Sequence, residues 1–399
     1  YWGSYDTVCV ARLTADRTRV DGPVTQVGRG RRMEGSFVVH RDGAYYLFYS
    51  DAGCCDGAFS GYQVKVGRAS RPTGPFVDDH GVDLMALTSK GGVVLAANGN
   101  HWTGPGHNGF VTDLSGQDWL VYHGVPADSP DLKPAVGGAM KLTRRPMLID
   151  RLDWINGWPV VRAGAGASEG PQPVPVTTPA AGGTFNAGST AGWRADADAP
   201  TGWSVATGPD TLGYVTHAPK AANQPGYLIA AGQAPAALRA EGDLRLTGTG
   251  STGAVGLTVG YADPANQVTA WLDRGRRALV TTVLVGGATG AEVVTPLPAG
   301  FIFDAWHNLT IEVRGTRMTV EVSWDRLRDP VATQVRDLPA EAVHAGAVGV
   351  AARGAGAEAG NGGASGLYQP VTVPLAEPLP GAPRPTHTAE RSDPGVPGT

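Results

Sequence analysis

An internal repeat constrains this chain more than any other feature of its sequence. Residues 34–49 align without a gap on residues 107–122, and aromatic and aliphatic positions match throughout the two copies. Each copy predicts a strand, a turn at a glycine (Gly43 in the first, Gly116 in the second) and a second strand. A repeated unit of this length is typical of the four-stranded blade of a β-propeller.

Part of a third copy lies at the start of the chain. Residues 1–5 match residues 45–49, and residues 8–12 then match residues 64–68. The later copy is longer between these stretches because it carries an inserted loop, Asp51–Gly61. Long loops on a rigid β-scaffold often hold recognition residues, so we expect this loop to contribute to function.

The composition also favours antiparallel β-structure. The chain has 58 glycines and 31 prolines among its 399 residues, while charged residues make up only 17%. Glycine and proline are thus enriched, and charge is depleted, relative to an average globular protein. Runs rich in Val, Thr, Tyr and Trp recur between glycine-containing breaks, which predicts an all-β fold with few helices.

Composition divides the chain into four regions. Residues 1–161 hold the repeats and are predicted to form a partial propeller, and residues 162–181 have the Gly, Ala and Pro content of a linker. Residues 182–374 contain eight strand-like runs and predict a β-sandwich of the jelly-roll type. Residues 375–399 are rich in proline and poor in large apolar side chains, so we expect a disordered tail.

Several kinds of partner are not expected. The net charge of −4 and a pI near 6.1 give no basic surface for nucleic acid, and no apolar run is long enough to span a membrane. Of three cysteines, Cys54 and Cys55 are adjacent and Cys9 is isolated, so neither a disulfide framework nor a Cys-x-x-Cys site is predicted. The redox state of the adjacent pair stays open.

Glu34 and His107 are the candidate functional residues, because they occupy equivalent positions in the two repeats. The innermost strand of each blade lines the axis of a propeller, so both side chains should face a common centre. There a partly buried Glu34 could act as a proton donor, whereas His107 alone cannot form a metal site, and any ion there would need water or other ligands. Equally, Glu34 could be a solvated carboxylate beside Arg31 and Arg32, and His107 a structural histidine.

A set of ordered motifs resembles the later blades of glycoside hydrolase family 43, nearest its arabinanase-type members. The motifs are Tyr1–Tyr5, Met33–Phe37, Tyr45–Ser50, the Cys54–Cys55 loop, Val66–Phe76, Gly104–Asn108, Leu120–His123 and Trp154–Val160. The resemblance implies about the last three blades of a five-bladed propeller. It also implies inverting cleavage of arabinose- or xylose-containing polysaccharides such as arabinan or arabinoxylan, with Glu34 as general acid and His107 at a central ion site, often calcium.

The same resemblance implies that part of the catalytic machinery precedes Tyr1. The family's general base and the second Asp that tunes the acid come from earlier blades, and an inverting mechanism needs two carboxyl groups. We therefore expect a fragment of a secreted, extracellular hydrolase that is inactive as these 399 residues alone. The alternatives are a non-catalytic carbohydrate-binding protein and a propeller with a structural role only.

The second region resembles concanavalin-like modules that accompany polysaccharide-active enzymes. Trp271 and Trp306 lie in its predicted strands and could in principle stack on sugars. A strand tryptophan is more often part of a core, so no sugar contact is assigned to either residue.

Overall fold

The computed structural model describes residues 1–14, 18–88, 90–132, 142–195, 202–218, 225–324 and 329–371. Apart from three short 3-10 turns, the regular structure in these ranges consists of β-strands, which confirms the predicted all-β fold. No helix within them is long and apolar enough to cross a lipid bilayer. The tail predicted for residues 375–399 lies outside the described residues.

Two four-stranded antiparallel sheets and a two-stranded ribbon make up most of residues 1–161. One sheet has the order β3-β4-β5-β6, the other β12-β11-β8-β7, and the ribbon is β1-β2. A second, smaller ribbon joins β9 to β10. The strands are β1 Thr7–Val10, β2 Thr25–Arg29, β3 Glu34–Arg41, β4 Ala44–Asp51, β5 Gln63–Ala69, β6 Gly92–Leu95, β7 Trp102–Thr112, β8 Asp118–Pro126, β9 Asp131–Leu132, β10 Leu142–Thr143, β11 Met147–Ile155 and β12 Trp158–Val161.

The sequence repeat corresponds to the two four-stranded sheets. Its copies form the hairpins β3-β4 and β7-β8, and the third copy contributes the ribbon β1-β2 together with a bridge between Trp2 and Cys9. The partial propeller is therefore confirmed as two blades and part of a third within the described residues.

Strand β4 is buried on both faces and holds these blades together. Successive side chains of a strand point to opposite faces. Tyr46 and Phe48 accordingly pack into the core shared with the second sheet, while Leu47 and Tyr49 pack toward the ribbon β1-β2. Burying each large apolar side chain contributes about 1.5–3 kcal/mol to folding. Packing on both faces of β4 therefore holds the two sheets and the ribbon β1-β2 together.

The packing of the two sheets places their first strands side by side. β3 and β7 are the edge strands of their sheets, and they contact one another. Phe37 of β3 stacks on Phe110 of β7, with 6.5 Å between ring centroids. Farther along the strands, Arg41 donates to Asp118 at 2.6 Å and ties the two hairpins together. The amino-terminal part of β3 and the middle of β7 are thereby held close to each other.

Residues 181–366 form two large sheets packed face to face. One has the order β15-β16-β28-β18-β24-β25-β26, with β29 paired to β18 and β13 paired to β29, and the other has the order β14-β17-β27-β19-β20-β21-β22, with β23 paired to β21. The strands are β13 Ala181–Thr184, β14 Trp193–Ala195, β15 Trp203–Thr207, β16 Gly213–His217, β17 Gly226–Ala230, β18 Leu238–Leu246, β19 Ala254–Asp263, β20 Asn266–Asp273, β21 Ala278–Val285, β22 Ala288–Thr289, β23 Val293–Pro296, β24 His307–Arg314, β25 Arg317–Ser323, β26 Ala332–Asp337, β27 Ala347–Arg353, β28 Ala357–Ala359 and β29 Asn361–Gly366.

The core between these sheets is built from alternating aliphatic residues. Ile311 of β24, Leu257 of β19 and Val350 of β27 are fully buried there. Trp271 is 2% exposed, and its indole N–H donates to Thr282 at 3.1 Å. The tryptophan therefore belongs to the interior, as predicted, whereas Trp306 is half-buried.

Asp113 anchors the β7-β8 turn and the segment that leaves the propeller unit. Its side chain is buried (7% exposed) and accepts hydrogen bonds from the backbone N–H groups of Ser115, Gln117 and Val176 and from the indole N–H of Trp119. Residue 176 lies far along the chain, so one carboxylate joins the turn to the extended segment before β13.

Replacing Asp113 with Ala should destabilise the protein strongly. The change leaves several buried N–H groups without their acceptor, and the expected loss in the free energy of unfolding is about 2–4 kcal/mol. Urea denaturation measures it. Asp128→Ala, at a side chain that is 71% exposed, is the control and should stay within about 0.5 kcal/mol of wild type. Equal stabilities of the two variants would contradict this role.

Candidate active site

Glu34 is the first residue of β3 and lies at an irregularity of the strand. It is paired with Ser50 of β4, but the register then shifts, so that the next pair is Phe37 with Phe48. Gly35, inside this bulge, has a φ of +61°, a value that favours glycine. A bulge re-aims the side chains next to it. The carboxyl group of Glu34 is half-buried in consequence of this local geometry.

His107 lies at a corresponding irregularity of β7. The register shifts on both sides of Gly106, His107 lies within the second shift, between Gly106 and Gly109, and His107 itself has a φ of 51°. Its backbone N–H donates to the hydroxyl of the buried Ser50 at 2.7 Å. Because Ser50 is also the strand partner of Glu34, one buried serine connects the two repeat-equivalent residues. A Cβ atom on Gly35 would lie 3.5 Å from the imidazole of His107.

Tyr62 brings the side chains of Glu34 and His107 together. Its hydroxyl donates to Glu34 Oε1 at 2.7 Å and lies 3.4 Å from His107 Nδ1. The second carboxylate oxygen of Glu34 accepts from the Ser4 hydroxyl at 3.3 Å. Burial, and after it the hydrogen bond to Glu34, raises the pKa of Tyr62 above its ordinary value. The phenol therefore remains protonated, and a proton donor, throughout the neutral range.

The same contact favours one tautomer of a neutral His107 ring. Since the Tyr62 proton is used toward Glu34, the contact with Nδ1 is attractive when that nitrogen carries a proton and donates to the phenol oxygen. Nε2 of a neutral His107 is then the acceptor nitrogen, free to bind a hydroxyl group, water or a cation. His107 is exposed, so such a group could reach it.

A glycine and a second histidine hold the Tyr62 ring in place. Gly106 has no side chain, and a Cβ there would lie 2.1 Å from Cδ1 of Tyr62, so the ring passes directly over this backbone. On β8, the ring of His123 stacks on Tyr62 with an interplanar angle of 12° and 5.6 Å between centroids. The orientation of the Tyr62 hydroxyl thus depends on both residues.

His123 is neutral in this site. Burial lowers the pKa of its imidazole to about 4, the charge of Arg145 and that of a protonated His107 act in the same direction, and Glu34 acts in the opposite direction. Neither ring nitrogen has a hydrogen-bond partner among the described residues. Arg145 also acts on Tyr62, so the titratable and charged groups that act on the cluster are Glu34, His107 and Arg145.

The structure places both residues predicted from the repeat, Glu34 and His107, in one cluster. Sequence reasoning did not assign Tyr62, His123 or Ser50. Tyr62 has no equivalent in the other copies, because it directly follows the inserted loop. That position, at the junction of an insertion and a strand, is the one signal in the sequence that could have identified it.

A calcium ion at His107 would need ligands besides this imidazole, such as water or backbone carbonyls. Calcium takes six to eight oxygen ligands, and no group of three or more His, Cys, Asp or Glu side chains that could hold an ion is found in the described ranges. No chemical step is therefore derived through a metal ion. The calcium expectation for His107 stays a prediction.

The neutral His123 should make stability depend on pH. In the unfolded chain a histidine takes up a proton near pH 6.5, but folded His123 does so only near pH 4. Between these values the unfolded state binds more protons, so the free energy of unfolding falls as the pH is lowered. His123→Phe keeps the stacking ring and removes the titration.

Urea denaturation at pH 7 and pH 5 checks this expectation. Wild type should lose about 1 kcal/mol more than His123→Phe between the two pH values, allowing for solvent screening at a half-buried group. His217 and His307, whose pKa values are also lowered by burial, are retained in both proteins and act as an internal control. An identical loss in the two proteins would disprove the assignment.

Comparisons with known proteins agree with the arrangement of these blades. Residues 1–159 match the sequence model of glycosyl hydrolases family 43. The chain is 32% identical over 130 residues to the extracellular endo-alpha-(1->5)-L-arabinanase 1 of Bacillus subtilis, covering 33% of this chain and 34% of that protein. It is 34% identical over 139 residues to arabinan endo-1,5-alpha-L-arabinosidase B of Emericella nidulans, and the match covers 33% of this chain and 31% of that protein.

A third relative is the extracellular exo-alpha-(1->5)-L-arabinofuranosidase ArbA of Cellvibrio japonicus. It is 36% identical over 96 residues, which cover 24% of this chain and 26% of that protein. The chain thus spans about a third or less of the length of these curated relatives. The repeat, the blades and the family match together make residues 1–159 similar to glycosyl hydrolases family 43.

Proposed function

We propose that residues 1–161 carry the general-acid side of a hydrolase site for arabinose-containing polysaccharides, with Glu34 as the acid. The observation that carries this proposal is the hydrogen bond from Tyr62 to Glu34 at 2.7 Å beside His107, in a segment that matches the sequence model of glycosyl hydrolases family 43. The three relatives described above are named for action on arabinan or on arabinofuranosyl bonds, which supports the substrate class.

The geometry suits proton donation to a leaving oxygen. Protonated Glu34 would transfer its proton to the glycosidic oxygen while the bond from that oxygen to the sugar breaks. The carboxylate formed would keep the Tyr62 hydroxyl as its hydrogen-bond donor, which favours the charged product of the transfer. Tyr62 and Ser4 also occupy both carboxylate oxygens and so restrict the orientation of the group.

The proposal places the general base outside these 399 residues. Inversion needs a second carboxylate roughly 6.5–9.5 Å from the acid to activate water. Among the described residues, Glu34 is the carboxylate that accepts from Tyr62 and whose charge acts on His123. The same observation favours the second candidate, a protein that binds arabinan or arabinoxylan without cleaving it.

We propose an extracellular location as well. Two of the relatives described above are named as extracellular enzymes. Cys54 and Cys55 are joined by a disulfide in this structure. Disulfides persist in oxidising compartments, so the bond fits a secreted protein better than a cytosolic one.

Hydrolysis of linear 1,5-arabinan tests the role of Glu34. The open reading frame is extended upstream of Tyr1, and the longer product is assayed beside the 399-residue chain. We expect the longer protein to release reducing ends and Glu34→Gln to lower its kcat by about 10²–10⁴-fold, because glutamine cannot donate the proton. Glu341→Gln, at an exposed residue of the second unit, is the matched control and should leave kcat unchanged.

Three results would count against the proposal. A Glu34→Gln variant that retains kcat within a factor of two would remove Glu34 as the acid. Turnover by the 399 residues alone that Glu34→Gln abolishes would show that the base lies within them. Binding of arabinan by the extended protein without any turnover would favour the non-catalytic candidate.

A further inference from the structure

The loop Asp51–Gly61 has no function in the account so far, although it ends next to Tyr62. We propose that it is a disulfide-braced sugar-binding loop, in which Phe59 stacks on a sugar unit close to the one whose bond Glu34 protonates. This inference rests on the proposed function, because it takes the ligand to be an arabinose-containing polysaccharide. It adds a sugar-binding residue, Phe59, and a disulfide that keeps the loop carrying this residue rigid.

The loop bridges the two blades that carry Glu34 and His107. At its start, Asp51 accepts from the Lys65 ammonium of the neighbouring strand at 2.8 Å. At its end, the carbonyl of the buried Ser60 accepts from the Thr103 hydroxyl of β7 at 3.1 Å. A side chain on Gly104 would collide with Ser60, since its Cβ would lie 2.5 Å from that of Ser60. The loop is thus closely packed on the strand that presents His107.

The middle of the loop is also fixed. Thr143 of β10 accepts from the Gly57 N–H at 3.2 Å, and its hydroxyl donates to the Cys55 carbonyl at 3.0 Å. Within the loop, the Ser60 hydroxyl accepts from the Asp56 N–H at 3.0 Å and donates to the Cys54 carbonyl at 3.3 Å. The cysteine pair and the 3-10 turn of the loop are therefore both held by hydrogen bonds to Ser60 and Thr143.

The Cys54–Cys55 disulfide adds a covalent constraint to these hydrogen bonds. A bond between adjacent cysteines closes a small ring that includes the peptide group between them, so neither residue can turn independently. The Cys54 carbonyl, which accepts from Ser60, is part of this ring, and the Cys55 carbonyl, which accepts from Thr143, is attached directly to it. Ordering a loop before binding lowers the conformational entropy lost when the ligand arrives.

Phe59 is the group that this rigid loop presents to solvent. It ends the 3-10 turn Gly57–Phe59, and 92% of its side chain is exposed. Other apolar side chains are also exposed, such as Leu87 at 80%, so exposure alone would not indicate a site. Phe59 differs because its ring is aromatic, a disulfide and hydrogen bonds hold its loop, and the loop ends next to Tyr62, which contacts Glu34.

The chain itself limits how far Phe59 can be from Glu34. Three residues of extended backbone span at most about 11 Å, which bounds the Cα separation of Phe59 and Tyr62. The hydroxyl of Tyr62 is in contact with Glu34. Phe59 is therefore within reach of a polysaccharide that extends a few sugar units from Glu34, and the apolar C–H face of a sugar can cover an aromatic ring that water otherwise contacts.

Calorimetric titration with linear 1,5-linked arabino-oligosaccharides tests the binding role in the 399-residue chain. We expect Phe59→Ala to raise Kd by about three- to tenfold, as the loss of one ring contact does. The matched control, Leu87→Ala, removes an equally exposed apolar side chain from a different loop and should not change Kd. Equal affinities of the Phe59→Ala variant and wild type would overturn the role of Phe59 and leave the proposed function intact. No binding by wild type would overturn the binding role of Phe59, whereas the proposed function is tested by hydrolysis in the longer protein.

The role of the disulfide has a readout that does not depend on carbohydrate. A dithiol reductant transfers two electrons and two protons to the Cys54–Cys55 bond, which becomes two thiols while the reductant becomes a cyclic disulfide. We expect hydrogen exchange of the amides of residues 55–62 to accelerate on reduction and Kd to rise several-fold. The double variant Cys54→Ser/Cys55→Ser should show both changes without reductant, whereas Cys9→Ser should behave as wild type. Unchanged exchange and affinity in the double variant would overturn the bracing role.

Discussion

The hydroxyl group of Tyr62 is the point on which the site depends. It donates to Glu34 and contacts His107, so it joins side chains that are 73 positions apart in the sequence, from 34 to 107. The contact is possible because β3 and β7, the edge strands of two packed blades, lie side by side. Hydrophobic packing on both faces of β4 supplies the free energy that holds these edges together. The chemistry proposed for Glu34 is thus a consequence of blade packing.

Backbone irregularities convert this packing into a site. Bulges re-aim Glu34 at the start of β3 and His107 in the middle of β7, and glycine at position 106 admits the Tyr62 ring. Regular strands would point these side chains along the sheet faces instead. The loop Asp51–Gly61 also helps to position Tyr62, because its disulfide and its hydrogen bonds fix the chain immediately before that residue. The binding role of Phe59 depends on that rigidity.

Sequence reasoning reached the fold class, the blades and the pairing of Glu34 with His107, because a repeat preserves the alternation of strand and turn. It did not reach Tyr62 or His123, whose positions depend on which strands become neighbours rather than on local pattern. Short strands rich in Gly and Ala, such as β28 and β29, were also missed, because their burial comes from adjacent strands and not from their own hydrophobicity. The disulfide between adjacent cysteines could not be decided from spacing, since neighbouring cysteines are compatible with either redox state.

The central claim is that Glu34, Tyr62 and His107 form one connected cluster, and ring contacts test it most directly. Nuclear Overhauser spectra of protein with selectively protonated Tyr and His residues report which rings lie within about 5 Å of each other. The account predicts cross-peaks from the Tyr62 ring to the rings of both His107 and His123, and their loss in a Tyr62→Ala variant. A Tyr62 ring that shows contacts with His123 but none with His107 would separate the two repeat-equivalent residues and contradict the proposed site.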